Sequence, residues 1–130
     1  MASMYSSYPK GSIKIMDSKN IDQISISDFT KLNLVLGTIL EVSENVKAKN
    51  PAYILKIDFG KKNGIKFTSA QITNYSLEEL IGRQVVAVCN LPSKKVAGFT
   101  SEVLILGAVS GKNVHLLRPD VELENGTLIG

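Results

Sequence analysis

The 130-residue sequence predicts an all-β domain: a five-stranded Greek-key barrel with one short helix between strands three and four and a C-terminal extension. Three observations predict it. Apolar residues alternate at period two in YILKIDF, a longer alternating run, LNLVLGTILEV, is interrupted by Gly37, and NYSLEELIG breaks the β pattern with a helix-start signal. A chain of this length makes one domain that buries roughly two-thirds of its unfolded surface. With 44% hydrophobic and 21% charged residues the composition is that of an ordinary soluble domain. No apolar run approaches the ~20 residues that span a bilayer, so membrane insertion is not expected.

Residues 1–20 are rich in Ser, Lys and Gly without periodicity and are expected to be a flexible tail. Met4 and Met16 are further starts, so part of the tail is open to being an addition to the natural chain. It lacks the apolar core of a secretory signal, which with a single cysteine implies a cytoplasmic protein. The domain is expected over 21–130. Ser27-Asp28-Phe29 reads as a capped helical turn. In the long run Leu32, Leu34, Leu36, Leu40 and Val42 share one face, with Gly37 marking a bend or barrel corner. Tyr53, Leu55, Ile57 and Phe59 then face one way, Lys56 and Asp58 the other. GKKNG is a loop with an Asn-Gly turn before a third strand, IKFTS. Tyr53 and Phe67 are assigned the parity of their strands' core residues and are expected inside.

Ser76 and Glu79 form a capping box, and Leu77, Leu80 and Ile81 make an apolar stripe before Gly82. QVVAVCN and SEVLILGAVS are strands apolar on both faces, and NVHLLR is one more. Such strands must be covered twice: once by the barrel interior, once by the C-terminal segment or a second subunit. Five short strands with a helix after the third are the arrangement of an oligonucleotide/oligosaccharide-binding (OB) barrel. A β-sandwich or an SH3-like barrel fits the alternation but not the helix.

The net charge of +3 divides unevenly. Residues 1–20 carry three lysines against Asp17, leaving +1 for the rest. Between residues 47 and 66, Lys47, Lys49, Lys56, Lys61, Lys62 and Lys66 face only Asp58, while Asp120, Glu122 and Glu124 crowd the end. A local basic stripe is therefore expected rather than a wholly basic protein. Catalysis is poorly supported. His115, flanked by Val114 and Leu116, reads as a strand-face residue, and Cys89 inside VVAVCNL as a buried, reduced thiol. No second His or Cys completes a zinc set, the carboxylates form no acid/base pair, and no glycine-rich phosphate loop precedes a helix. No cofactor is expected, and binding is the better class.

The stretch NLPSKKVAGFTSEVLILG places Lys94, Lys95 and Phe99 around Gly98 between two apolar runs. Two ligand classes want it. An oligonucleotide would use Lys56, Lys61, Lys62 and Lys66 with Tyr53 or Phe67, or Lys94, Lys95 and Phe99. Apolar peptide segments would use Phe99, Val96, Ala97 and Tyr75.

From about Ile24 to Gly130 the chain resembles the tRNA-binding-domain family. The resemblance is carried by DFTKLNLVLGTILEV, EELIGRQVVAVCNL and the Lys95, Gly98, Ser101 spacing. FTSAQITNYSLEELIGRQVVAVCNLP, AGFTSEVLILG and NGTLIG are most similar to that family's export-related chaperones. General tRNA-binding members follow the motif serine with Gln-x-Met, where this chain has Glu102 and Val103. A carboxylate there is expected to repel RNA phosphate. The resemblance implies an OB-fold homodimer that binds unfolded or precursor polypeptides and cooperates with the secretory ATPase. It also implies that Ser69, Gln71, Asn90, Lys94, Lys95, Phe99, Ser101 and Glu102 line or support the ligand site. Binding of tRNA through the basic surface is the alternative.

Overall fold

A computed structural model describes residues 21–96 and 98–130, with the backbone alone at Val96. The expected N-terminal tail, Ala97 and the Val96 side chain lie outside the described residues. Ser25, not Ser27, caps the first helix: its hydroxyl accepts the Asp28 N–H over α1 (Ile26–Thr30), and the Asp28 carboxylate returns to the Ser25 N–H. That reciprocal pair holds the Asp28 carboxyl below its ordinary value. Strand β1 (Leu34–Glu44) follows, then β2 (Tyr53–Asp58). GKKN is a single helical turn, α2 (Gly60–Asn63), rather than a plain loop; Phe59 donates its N–H to Gly64 O across it. Strand β3 (Ile65–Ala70), helix α3 (Leu77–Leu80) and β4 (Gln84–Val88) come next. The capping box at α3 is the expected one, Ser76 with Glu79. Of its apolar stripe only Leu80 is buried; Leu77 and Ile81 are exposed.

The run expected as one strand, SEVLILGAVS, is broken. It supplies the end of β6 (Phe99–Ser101), then β7 (Leu104–Ile105) and β8 (Gly107–Ser110). Strand β5 (Lys94–Val96) pairs with β6 in one hairpin, and β8 with β9 (Asn113–Leu116) in another. The main sheet runs β3-β2-β1-β4-β7, antiparallel throughout. With β6 lying against β3 it makes a nearly closed five-stranded barrel of the OB type, with α3 between β3 and β4.

The interior holds Val35, Ile39, Leu55, Ile57, Phe59, Ile72, Leu80, Val85, Val103 and Ile105, all fully buried. Burial of a ring such as Phe59 stabilises by about 1.5–3 kcal/mol. Phe59 is also the reason for Gly37: a Cβ there would stand 2.5 Å from Phe59 Cδ1. The bend in β1 comes later, at a bulge. Ile39 pairs with Ile57 and Glu41 with Lys56, so Leu40 has no partner and the inward parity changes. Hence Val35, Gly37 and Ile39 point inward before the bulge and Val42 after it, while Leu32 and Leu40 are exposed. The face expected from Leu32, Leu34, Leu36, Leu40 and Val42 is thus corrected.

Strand β4 is buried at every position. Its outer side is covered by Leu34, Leu104, Leu106 and Ile129 around Val88. The C-terminal extension provides part of that cover by pairing with β1. Leu36 donates to Thr127 O at 2.9 Å and accepts from the Gly126 N–H at 2.8 Å, and Leu34 O accepts from Ile129. The Gln84 amide clamps the extension through Leu123, donating to its carbonyl at 2.7 Å and accepting its N–H at 3.1 Å.

Candidate functional site

Strands β2 and β3 present one outward face. Lys56 stands opposite Phe67, Ile54 opposite Ser69 and Asp58 opposite Ile65. Phe67 is 39% exposed and Ile65 49%. The expectation that Phe67 is inside is therefore wrong, whereas Tyr53 is buried as expected. Four residues separate Phe59 from Gly64, and an even-length connection moves the inward set from odd numbers on β2 to even numbers on β3. Thr68 and Ala70 are accordingly the buried partners of Leu55 and Tyr53. Counting residues across the connection would have found this from the sequence.

The basic stripe does not form as one patch. Lys56 Nζ lies 2.8 Å from Glu41 Oε2. Lys66 has the inward parity of Thr68, opposite Ile57, and its charge acts on Cys89. Lys61 and Lys62 are exposed on α2, at the far end of β2 and β3 from the β1–β2 loop. Burial pushes the half-buried Cys89 thiol up to about 11, against a smaller opposing effect of Lys66. His115 is exposed on β9, a strand-face residue as read from the sequence.

Around Gly98 the chain is a hairpin, β5 and β6, with Gly98 at φ +77°, a conformation natural to glycine. A Cβ on Gly98 would stand 3.3 Å from Lys47 Cδ. Lys47, in the β1–β2 loop, thus reaches the hairpin tip, a juxtaposition of two loops that the sequence did not reveal. Lys47, Lys49 and Lys95 are exposed there; Lys94 and Phe99 are half-buried. At the β1–β2 loop that carries Lys47 and Lys49, a cavity of about 250 Å³ opens between Glu44, Asn45, Val46, Pro51, Ala52, Tyr53 and Thr73.

Several expected site residues are engaged inside the fold. Ser101 is fully buried, and its Oγ accepts the Ser69 N–H at 2.9 Å. Ser69, also buried, accepts from Asn45 Nδ2 at 3.3 Å. Glu102 accepts the Phe67 N–H on Oε1 at 3.0 Å. Asn90, just past β4, accepts the Asn33 N–H at 2.8 Å and donates to Lys31 O at 2.7 Å, fastening the turn between α1 and β1 to the end of β4. Gln71 is exposed just beyond β3. Of the eight expected residues the hairpin brings together Lys94, Lys95 and Phe99; Ser69, Ser101 and Glu102 form the seam behind it, and Asn90 stands apart.

An exposed outward face on β2 and β3, flanked by the β1–β2 loop and a hairpin between strands four and five of the barrel, is where OB barrels take their ligands. Residues 34–128 match the family model of the putative tRNA-binding domain. The chain belongs to that family. It is 49% identical to the chaperone CsaA of Bacillus anthracis, covering 84% of this chain and 100% of that one with a TM-score of 0.79. CsaA of Picrophilus torridus gives the same identity and TM-score over 83% of this chain and 100% of its own. A methionine–tRNA ligase of Pyrococcus horikoshii is 36% identical over 114 residues, 87% of this chain. The chain spans only 15% of the length of that ligase.

Proposed function

We propose that the protein is a non-enzymatic, homodimeric chaperone that binds extended segments of unfolded or precursor polypeptides in the cytoplasm and hands them to the secretory ATPase. The observation that carries this reading is the apolar character of the open face. Phe67 and Ile65 are exposed on it, Ile54 is half-buried one outward position along β2 from Lys56, the partner of Phe67, and Phe99 is half-buried on the adjoining hairpin. Exposed apolar side chains among polar ones on an open strand face suit an apolar chain segment, and Lys47, Lys49 and Lys95 would favour acidic flanks. Likeness to two CsaA chaperones over their whole chains supports the same reading. Ser69, Ser101 and Glu102 support the face from behind, and Gln71, Lys94, Lys95 and Phe99 meet the ligand.

Dimerisation would use the apolar residues that the extension leaves exposed, Leu117, Val121, Leu123 and Leu128. An obligate interface buries about 2,000 Å² or more in total. Sedimentation at micromolar concentration checks it, and a monomer there would count against the dimer.

The second reading, a tRNA-binding module, is favoured by the family match and by the three exposed lysines at the hairpin end. Titration of labelled tRNA and of a labelled unfolded polypeptide, each at two salt concentrations, separates the two. Three lysines on phosphates would give log affinity a slope of about −2 to −3 per subunit against log salt. Polypeptide binding that changes little with salt supports the chaperone. Salt-steep tRNA binding with no measurable polypeptide binding would sink it.

A further inference from the structure

Both main-chain groups of Phe67 are taken by one residue 35 positions away. Its N–H goes to Glu102 Oε1 at 3.0 Å, and its carbonyl accepts the Glu102 N–H at 2.9 Å. Beyond this link, toward the end of β3, side chains do what a strand ladder would do elsewhere: Thr68 Oγ1 donates to Val103 O at 2.8 Å, and Ser69 N–H to Ser101 Oγ at 2.9 Å. The edge of β3 is thereby sealed at Phe67, so a ligand chain cannot add there as a further strand. What Phe67 still offers is its ring, directed outward beside Lys56.

We propose that Phe67 is the apolar anchor of the ligand-binding face and that Glu102 is the residue that positions it. The proposal rests on the reading of this face as a polypeptide site. Its consequence adds a structural role to the electrostatic one expected of Glu102. The carboxylate holds a backbone N–H in a charge-assisted bond that fixes where the ring stands, so its part in the site is to orient Phe67 and not only to carry a negative charge. A glutamine keeps the same acceptor atom and should serve equally well, whereas an alanine frees the N–H and lets that stretch of β3 shift.

The test measures fluorescence anisotropy of labelled, reduced and carboxymethylated lactalbumin, a permanently unfolded polypeptide. It compares wild type with Phe67→Ala, Glu102→Ala, Glu102→Gln and the Phe67→Ala/Glu102→Ala pair, each checked by thermal melt. Phe67→Ala should weaken binding about tenfold, the scale of losing a buried ring, without unfolding an exposed site. Glu102→Ala should weaken it several-fold, Glu102→Gln should stay within about twofold of wild type, and the double variant should bind no worse than Phe67→Ala alone. Unchanged binding by Phe67→Ala overturns the anchor. A strictly additive double variant, or a Glu102→Gln that loses as much polypeptide binding as Glu102→Ala, overturns the positioning role. Wild type that binds no polypeptide overturns the chaperone reading and the anchor with it.

Discussion

Strands β3 and β4 are both short and apolar, IKFTSA against QVVAV, yet one opens a ring to solvent and the other is buried at every residue. The difference lies in their neighbours. β4 sits between β1 and β7, with Leu34, Leu104 and Ile129 packed on its outer side. β3 is the last strand of the sheet order and meets β6 through the side-chain links at Phe67, Thr68 and Ser69. An outward apolar residue is covered on one strand and open to solvent on the other, which is why the proposed function rests on β3. The hardest break of this comparison is a charge on each. Val88→Asp buries an unpaired carboxylate on the covered outer side of β4 and should lower the melt strongly, while Phe67→Asp should melt close to wild type. Circular dichroism melts of the two variants decide it; equal destabilisation would mean that Phe67 is core after all.

The next effect in size is at the seam. Ser101→Ala removes the acceptor of a buried Ser69 N–H and should cost about 1–3 kcal/mol in denaturant unfolding. Wild-type stability in this variant would show that the motif serine faces the ligand instead.

Much of β2, α3 and β4 was legible because their signals are local. Tyr53 to Phe59 alternate, Ser76 and Glu79 are three residues apart, and an unbroken apolar run such as VVAV demands cover on both faces. Other features were not legible for stated physical reasons. The bulge at Leu40 adds one residue and inverts the parity of the rest of β1. Ser101 and Glu102 act on partners more than 30 residues away through side-chain bonds that leave no periodicity. The family resemblance therefore implied only that they line or support the ligand site. Phe67 is a different case, since counting across the connection from Phe59 to Gly64 gives its parity.

A smaller, pH-dependent effect is expected at the end of β4. Burial raises the Cys89 thiol from 9.0 to about 11, so the folded state holds that proton more tightly than the unfolded chain. Its contribution to stability is complete below about pH 9 and is lost as pH rises toward 11. The stability gap between wild type and Cys89→Ala should therefore shrink across that window and stay constant below it. A gap that widened there would reverse the assignment.

The smallest effect tests the open face of β2 and β3 itself. Lys56 is ion-paired with Glu41, whose side chain is 69% exposed, so the pair is worth at most about 1 kcal/mol. Lys56→Ala should therefore scarcely move the melt. It should also change the salt slope of tRNA binding less than Lys95→Ala, because a lysine already neutralised by a carboxylate releases fewer counterions on meeting phosphate. A phosphate contact by Lys95 would reduce the slope by a little under one unit when removed. Equal changes in slope would mean that Glu41 gives up its partner when the ligand arrives, which would make the face basic after all and strengthen the RNA reading.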